Sequence, residues 1–131
     1  MKKTALLNSA LSEVIATLGH GDMLVIGDAG LPIPAETYRI DLALTRNIPP
    51  FIETVRAVLT EMQVEKVIVA KETGEVSPQV LAELKRLLPD TPFIEVSHEE
   101  LKRLTRDARA VVRTGEFTPY ANVILVSGVV F

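Results

Sequence analysis

Along this chain, short continuous apolar runs alternate with segments whose apolar residues recur about every three or four positions, the signatures of buried strands and amphipathic helices. Leu11, Val14, Ile15 and Leu18 fall on one face of a helix that Asn8 or Ser9 can cap, and Gly19 suits the left-handed residue that ends it. MLVIG at 23–27 reads as a strand that delivers Asp28, after which AGLPIP forbids regular structure. RIDLAL at 39–44 is a second candidate strand. Pro49 and Pro50 introduce a helix with Ile52, Val55, Leu59 and Met62 inward, and KVIVA at 66–70 is again a strand. Ser77 and Pro78 form a cap and first-turn pair for a helix with Leu81, Leu84 and Leu88 inward, followed by the strand FIEV at 93–96. SHEE at 97–100 is a capping box that opens a helix carrying Leu101, Leu104 and Ala108. AVVRT at 110–114 and NVILVSGVVF at 122–131 close the chain as strands.

Strands apolar on both faces, alternating with helices, predict an α/β fold in which helices cover a parallel or mostly parallel sheet. A length of 131 residues with no linker, repeat or low-complexity segment makes residues 1–131 one domain, and 47% hydrophobic content excludes disorder.

Charge and composition remove whole classes of function. Fourteen Lys and Arg against seventeen Asp and Glu, interspersed, give a net charge of -3, which argues against a nucleic-acid surface. With no cysteine there is no disulfide, thiolate nucleophile or Cys-ligated metal, and two distant histidines argue against a His-rich metal site. MKKTALL imitates the opening of a secretory signal, but Asn8, Ser9, Ser12 and Glu13 break the run before the roughly 7–15 apolar residues such a segment needs. No run approaches the ~18 apolar residues of a membrane span, so a soluble cytoplasmic protein is expected.

What remains for chemistry is His, carboxylates, Lys and Tyr. His20 lies between Gly19 and Gly21, just past a helix. Asp28 ends a strand, His98 starts a helix, and TGEFTPYAN precedes the last strand. In open α/β sheets ligands bind beyond the carboxyl ends of strands, so Asp28, His98 and the TGEFTPYAN segment are placed to converge on one pocket. Each also has a purely local role open to it: His20 as a solvated loop residue, Asp28 as a turn former, His98 as a first helical residue, Tyr120 as a packing aromatic. The glycines do not form a phosphate loop, since Gly19 and Gly21 follow a helix and neither G-x-G-x-x-G after a strand nor GxxxxGK occurs; GxSxG is also missing.

GHGDMLVIGDAGLPIP, SHEELK and TGEFTPYANVILVSGV, together with the opening KKTALLNSALSEVIATLGH, closely resemble the D-ribose pyranase family of sugar mutarotases over the full length. The sister fucose mutarotases share the GHGD element and a Tyr-x-Asn, but differ where Gly30 and Leu31 stand here and lack SHEELK. The resemblance implies a three-layer Rossmann-like α/β sandwich, and an enzyme that interconverts pyranose and furanose ribose without cofactor or metal. It assigns His20 as the proton donor and Asp28, His98, Tyr120, Ala121 and Asn122 to sugar binding, Ala121 through its backbone. Lys102, four residues beyond His98 and on its helical face, is a further candidate. The implied assembly is a decameric ring with pockets near subunit boundaries.

The chemistry suits these residue types. Opening a cyclic hemiacetal needs a proton delivered to the ring oxygen and one removed from the anomeric hydroxyl, and closure by another hydroxyl reverses this. An imidazole, with an ordinary pKa near ~6.5, serves both directions near neutrality. Flanking glycines let the loop and a sugar approach closely. Asp28, Tyr120 and Asn122 supply acceptors and donors for hydroxyls, and His98 at a helix N-terminus suits neutral hydrogen bonding. The competing readings are a fucose-type mutarotase and a non-catalytic sugar-binding subunit, the latter having no use for His20.

Overall fold

A computed structural model of the protein describes residues 1–131. Twelve elements follow one another: α1 (Ser9–Thr17), β1 (Met23–Gly27), β2 (Arg39–Asp41), α2 (Phe51–Leu59), β3 (Val64–Ala70), α3 (Lys71–Val76), α4 (Pro78–Leu87), β4 (Phe93–Val96), α5 (His98–Leu104), a 3-10 turn (Thr105–Asp107), β5 (Ala110–Arg113) and β6 (Val123–Ser127). The strands form one six-stranded sheet in the order β2-β5-β1-β6-β3-β4. Successive strand residues face opposite sides. Leu24, Ile26, Val67, Val69, Val123 and Leu125 meet α1, α2 and α4 in the larger core. Val25, Ile68, Val111, Ile124 and Val126 meet Leu101 of α5 and Leu31 in the smaller one. This is the expected single-domain sandwich of helices on both faces of a sheet.

The pairings β1–β5, β2–β5 and β3–β4 are parallel, whereas β6 runs antiparallel to both β1 and β3. A parallel partner requires a crossover, usually helical; an antiparallel one does not. The segment between β5 and β6 holds no helix, and it passes over the carboxyl end of β1 before the chain turns back. The TGEFTPYAN stretch is thereby laid against Asp28.

Several boundaries depart from the apolar pattern. β2 stops at Asp41 and β6 at Ser127, short of the apolar runs that continue to Leu44 and Phe131. The helix from His98 gives way to a 3-10 turn after Leu104, short of Ala108. In α2 the buried face is Phe51, Thr54, Val55 and Val58 rather than Ile52 and Leu59, with Met62 buried beyond the helix end. In α4 it is Val80 and Leu84, with Leu81 and Leu88 only half-buried. Asn8 is the cap of α1, its Oδ1 accepting the Leu11 amide at 2.9 Å.

Candidate active site

The carboxyl ends of β1, β3 and β4 and the start of β6 lie at the same end of the sheet, and the polar residues delivered there come together. The Asp28 amide donates to Asn122 Oδ1 at 2.9 Å. His98 and Tyr120 pack edge to face, with ring centroids 5.0 Å apart and planes at 86°. Burial pushes the Asp28 carboxyl above its usual range, outweighing the Gly30 amide it accepts, the nearby Asn122 amide, the His98 ring and the Leu31 amide. His98 Nδ1 and Asn122 Nδ2 are buried and have no hydrogen-bond partner. Buried polar atoms are nearly always paired, so two orphans beside one carboxylate mark a place built for a polar guest. A donor amide, an imidazole, a phenol and a carboxylate are the set that reads several hydroxyls of one small molecule.

Tyr120 sits at a positive φ of 59°, a region where non-glycine residues are uncommon. Its neighbours hold it there. Thr73 Oγ1 donates to the Tyr120 carbonyl at 2.8 Å, Ser77 Oγ donates to the Pro119 carbonyl at 2.7 Å, and the Asn122 amide donates to the Tyr120 carbonyl at 2.9 Å. Ser77 therefore does not cap α4 with its side chain, as its Pro78 neighbour predicted; its hydroxyl is spent on the site loop. At the other side Glu72 Oε2 accepts the His98 amide at 2.7 Å, fixing the start of α5. Ser97 Oγ accepts the Glu100 amide at 3.1 Å, one half of the predicted capping box.

Glu116 anchors the arch itself. Burial would raise its pKa, but the Phe51 amide, the Thr118 hydroxyl and amide and the Phe117 amide together hold its carboxyl below the usual range. Its Oε1 accepts the Phe51 amide at 2.9 Å, so it supplies the side-chain cap that Pro50 cannot give α2. Arg113 Nε donates to the Ala29 carbonyl at 3.0 Å and pairs with Asp41. Glu116, Arg113 and Ala29 line a cleft of about 390 Å³ with Asp28, Gly30, Phe117 and Thr118.

Over residues 1–130 the chain matches the RbsD / FucU transport protein family. It belongs to that family. Among its relatives are a D-ribose pyranase of Chloroflexus aggregans, 72% identical over the whole of both chains, and one of Clostridium perfringens, 61% identical over the same span. The structure of Bacillus subtilis RbsD complexed with D-ribose superposes with a TM-score of 0.97 at 49% identity, covering both chains completely. A fucose mutarotase from Streptococcus pneumoniae, in complex with L-fucose, shares the fold over both whole chains at a TM-score of 0.85 and 22% identity.

Within this RbsD / FucU chain, His20 stands apart from the other predicted residues. It precedes β1, whereas Asp28 follows it, so the five-residue strand alone separates them by roughly 17 Å. The Gly19 carbonyl accepts the Asp22 amide at 3.1 Å, closing a turn with His20 at its second position and Gly21, at φ 84°, at its third. Gly21, not Gly19, is thus the left-handed residue; α1 ends at Leu18 in extended backbone. Asp22 tightens the turn: its carboxylate accepts the Gly19 amide at 2.8 Å and pairs with Arg109, both of which lower its pKa.

Two remaining predicted residues are accounted for as follows. Ala121 is fully buried and its amide donates to the Thr118 carbonyl. Lys102 pairs with Glu99 at 2.6 Å and lines a separate cleft of about 850 Å³ with Arg103 and Arg106. Thr73, Ser77, Glu72, Glu116 and Asp22 position the site and the turn through contacts that no local pattern in the sequence indicates.

Proposed function

We propose that this chain is a D-ribose pyranase, interconverting the pyranose and furanose forms of ribose by acid and base without a cofactor. The observation that carries this reading is the pair of buried, unpartnered atoms, His98 Nδ1 and Asn122 Nδ2, set around the raised carboxyl of Asp28. A pentose offers hydroxyls that satisfy all three. The full-length likeness to D-ribose pyranases supports ribose over fucose, to whose mutarotases the chain is related only distantly.

In this reading Asp28, His98, Tyr120 and Asn122 hold the sugar, with the Ala121 backbone completing the segment, and His20 donates the proton to the ring oxygen as the C1–O bond breaks. The proton on the anomeric hydroxyl passes to solvent water as its oxygen becomes the carbonyl of the open chain, and ring closure by a different hydroxyl runs the same steps backwards. Because His20 and Asp28 lie at opposite ends of β1, a complete site forms where the His20 turn of one copy meets the sugar pocket of another. Exposed Leu7, Leu44, Val130 and Phe131 favour such association. We assign the assembly to a closed ring of ten copies and the protein to the cytoplasm; no helix is long and apolar enough to cross a membrane.

NMR exchange spectroscopy of ribose with and without the protein tests this. Added exchange between ring forms is expected, and His20→Ala should lower it by about 10²- to 10⁴-fold while ribose binding survives. Exchange of fucose but not ribose would favour the fucose-type activity, and binding without exchange the non-catalytic subunit. Light scattering should report a large closed oligomer; a monomer at micromolar concentration would remove the shared site.

A further inference from the structure

The assignment of His20 above leaves open what holds an imidazole on a solvent-open turn. His20 Nε2 lies 2.7 Å from Glu65 Oε2. An ionised carboxylate only accepts, so Nε2 carries the hydrogen in this pair. Nδ1 then remains as the one ring nitrogen without a protein partner.

Glu65 reaches the ring through a local irregularity of the sheet. Opposite β6, Val64 pairs with Ser127 and Lys66 with Val126, so Glu65 is the extra residue of a β-bulge. Bulges re-aim a side chain and tend to lie beside functional sites. Gly128 leaves the room this needs, because a Cβ there would stand 3.0 Å from Glu65 Cβ. Three backbone bonds then tie the participants together: Gly21 amide to Ser127 carbonyl at 2.8 Å, Ser127 amide to Asp22 carbonyl at 2.8 Å, and Gly128 amide to Gln63 carbonyl at 3.0 Å. The turn, the end of β6 and the start of β3 are therefore one hydrogen-bonded unit. An exposed side-chain contact of this kind adds little to stability, so the bulge, the glycine and the short contact point to a role beyond folding.

We propose that Glu65 is a positioning residue for His20: its carboxylate accepts the Nε2–H hydrogen bond, fixes the ring plane and tautomer, and presents Nδ1 as the nitrogen that, once protonated, delivers its proton to the sugar and is left as an acceptor. A base oriented by a third group is the general logic of activated acid–base residues. The inference rests on His20 being the proton donor, and the two can fail separately.

Ribose affinity and saturated exchange rate should be measured for Glu65→Ala, Glu65→Gln, His20→Ala and the double variant His20→Ala/Glu65→Ala, each checked for the wild-type oligomer and melting temperature. Glu65→Ala should lower the saturated rate by roughly tenfold or more with affinity unchanged. Glu65→Gln, which keeps an acceptor for Nε2, should recover much of that loss. In the His20→Ala background, Glu65→Ala should do nothing further. A Glu65→Ala rate within about twofold of wild type beside an impaired His20→Ala would overturn this inference alone, as would an additive double variant. Wild-type exchange in His20→Ala would overturn the assignment of His20 and this inference with it.

Discussion

The Asn122 carboxamide engages the protein through one end only: Oδ1 accepts the Asp28 amide at 2.9 Å, and Nδ2, equally buried, has no protein partner. One side chain thus sets the height of Asp28 and contributes a donor beside it. Asn122→Ala should therefore act twice. Stability should fall by about 1–3 kcal/mol from the orphaned Asp28 amide, measured by denaturant unfolding, and ribose binding should weaken by a similar amount in calorimetry. Unchanged affinity would show that Nδ2 does not face the sugar.

Asp28 gives a pH dependence with a definite sign. Burial raises its folded-state pKa above the ordinary 3.8, so its contribution to stability is fully present below that value and is lost as pH rises through the folded pKa. Asp28→Asn removes the charge and keeps an oxygen for the Gly30 amide. The variant should gain stability on wild type as pH rises above about 4, and hold that gain at neutrality while binding ribose less well. Melting curves from pH 3 to 8 check this; a gain confined to acid would reverse the sign.

The turn that carries His20 separates its two glycines. Gly21 has φ 84° with nothing near its absent Cβ, so Gly21→Ala suffers backbone strain alone, about 1–2 kcal/mol, and should disturb His20. At Gly19 the nearest atom to a Cβ is Asp22 Oδ2 at 3.5 Å, an ordinary contact, so Gly19→Ala should stay within about ±0.5 kcal/mol. Equal effects in thermal unfolding would contradict the turn geometry.

Thr73 and Ser77 hold the Tyr120 loop from the α3–α4 junction. Thr73→Val and Ser77→Ala should each cost about 1 kcal/mol of stability. Both should weaken ribose binding, while leaving the turn at His20 untouched. Variants that bind ribose as wild type would make the loop self-supporting.

Local periodicity exposed the strands and helices of this chain because each carries its own apolar face. Asp28, His98, Tyr120 and Asn122 were legible together because strand ends in an α/β sheet share one edge. The direction of β6 was not legible: VILVS is apolar on both faces whichever way it runs, and only the missing helix between Arg113 and Val123 distinguishes the two. Nor were the roles of Thr73, Ser77 and Glu116. Their partners are backbone groups 47, 42 and 65 positions away, and such pairs leave no periodic trace. The short helix Lys71–Val76 escaped for a related reason, since only Thr73 of its residues is buried.

β6 links the Asp28–Asn122 cluster to the His20 turn. Asn122 immediately precedes it, its last residue Ser127 makes the bonds to the His20 turn, and β1 and β3 flank it along its length. Amides of such a central, two-sided strand open only with the whole domain, so they should be the last to exchange with deuterium. The Asp28–Asn122 cluster and the His20 turn are consequently welded to the most persistent element of the molecule, and loosening of either by partial melting is opposed by the strand they share.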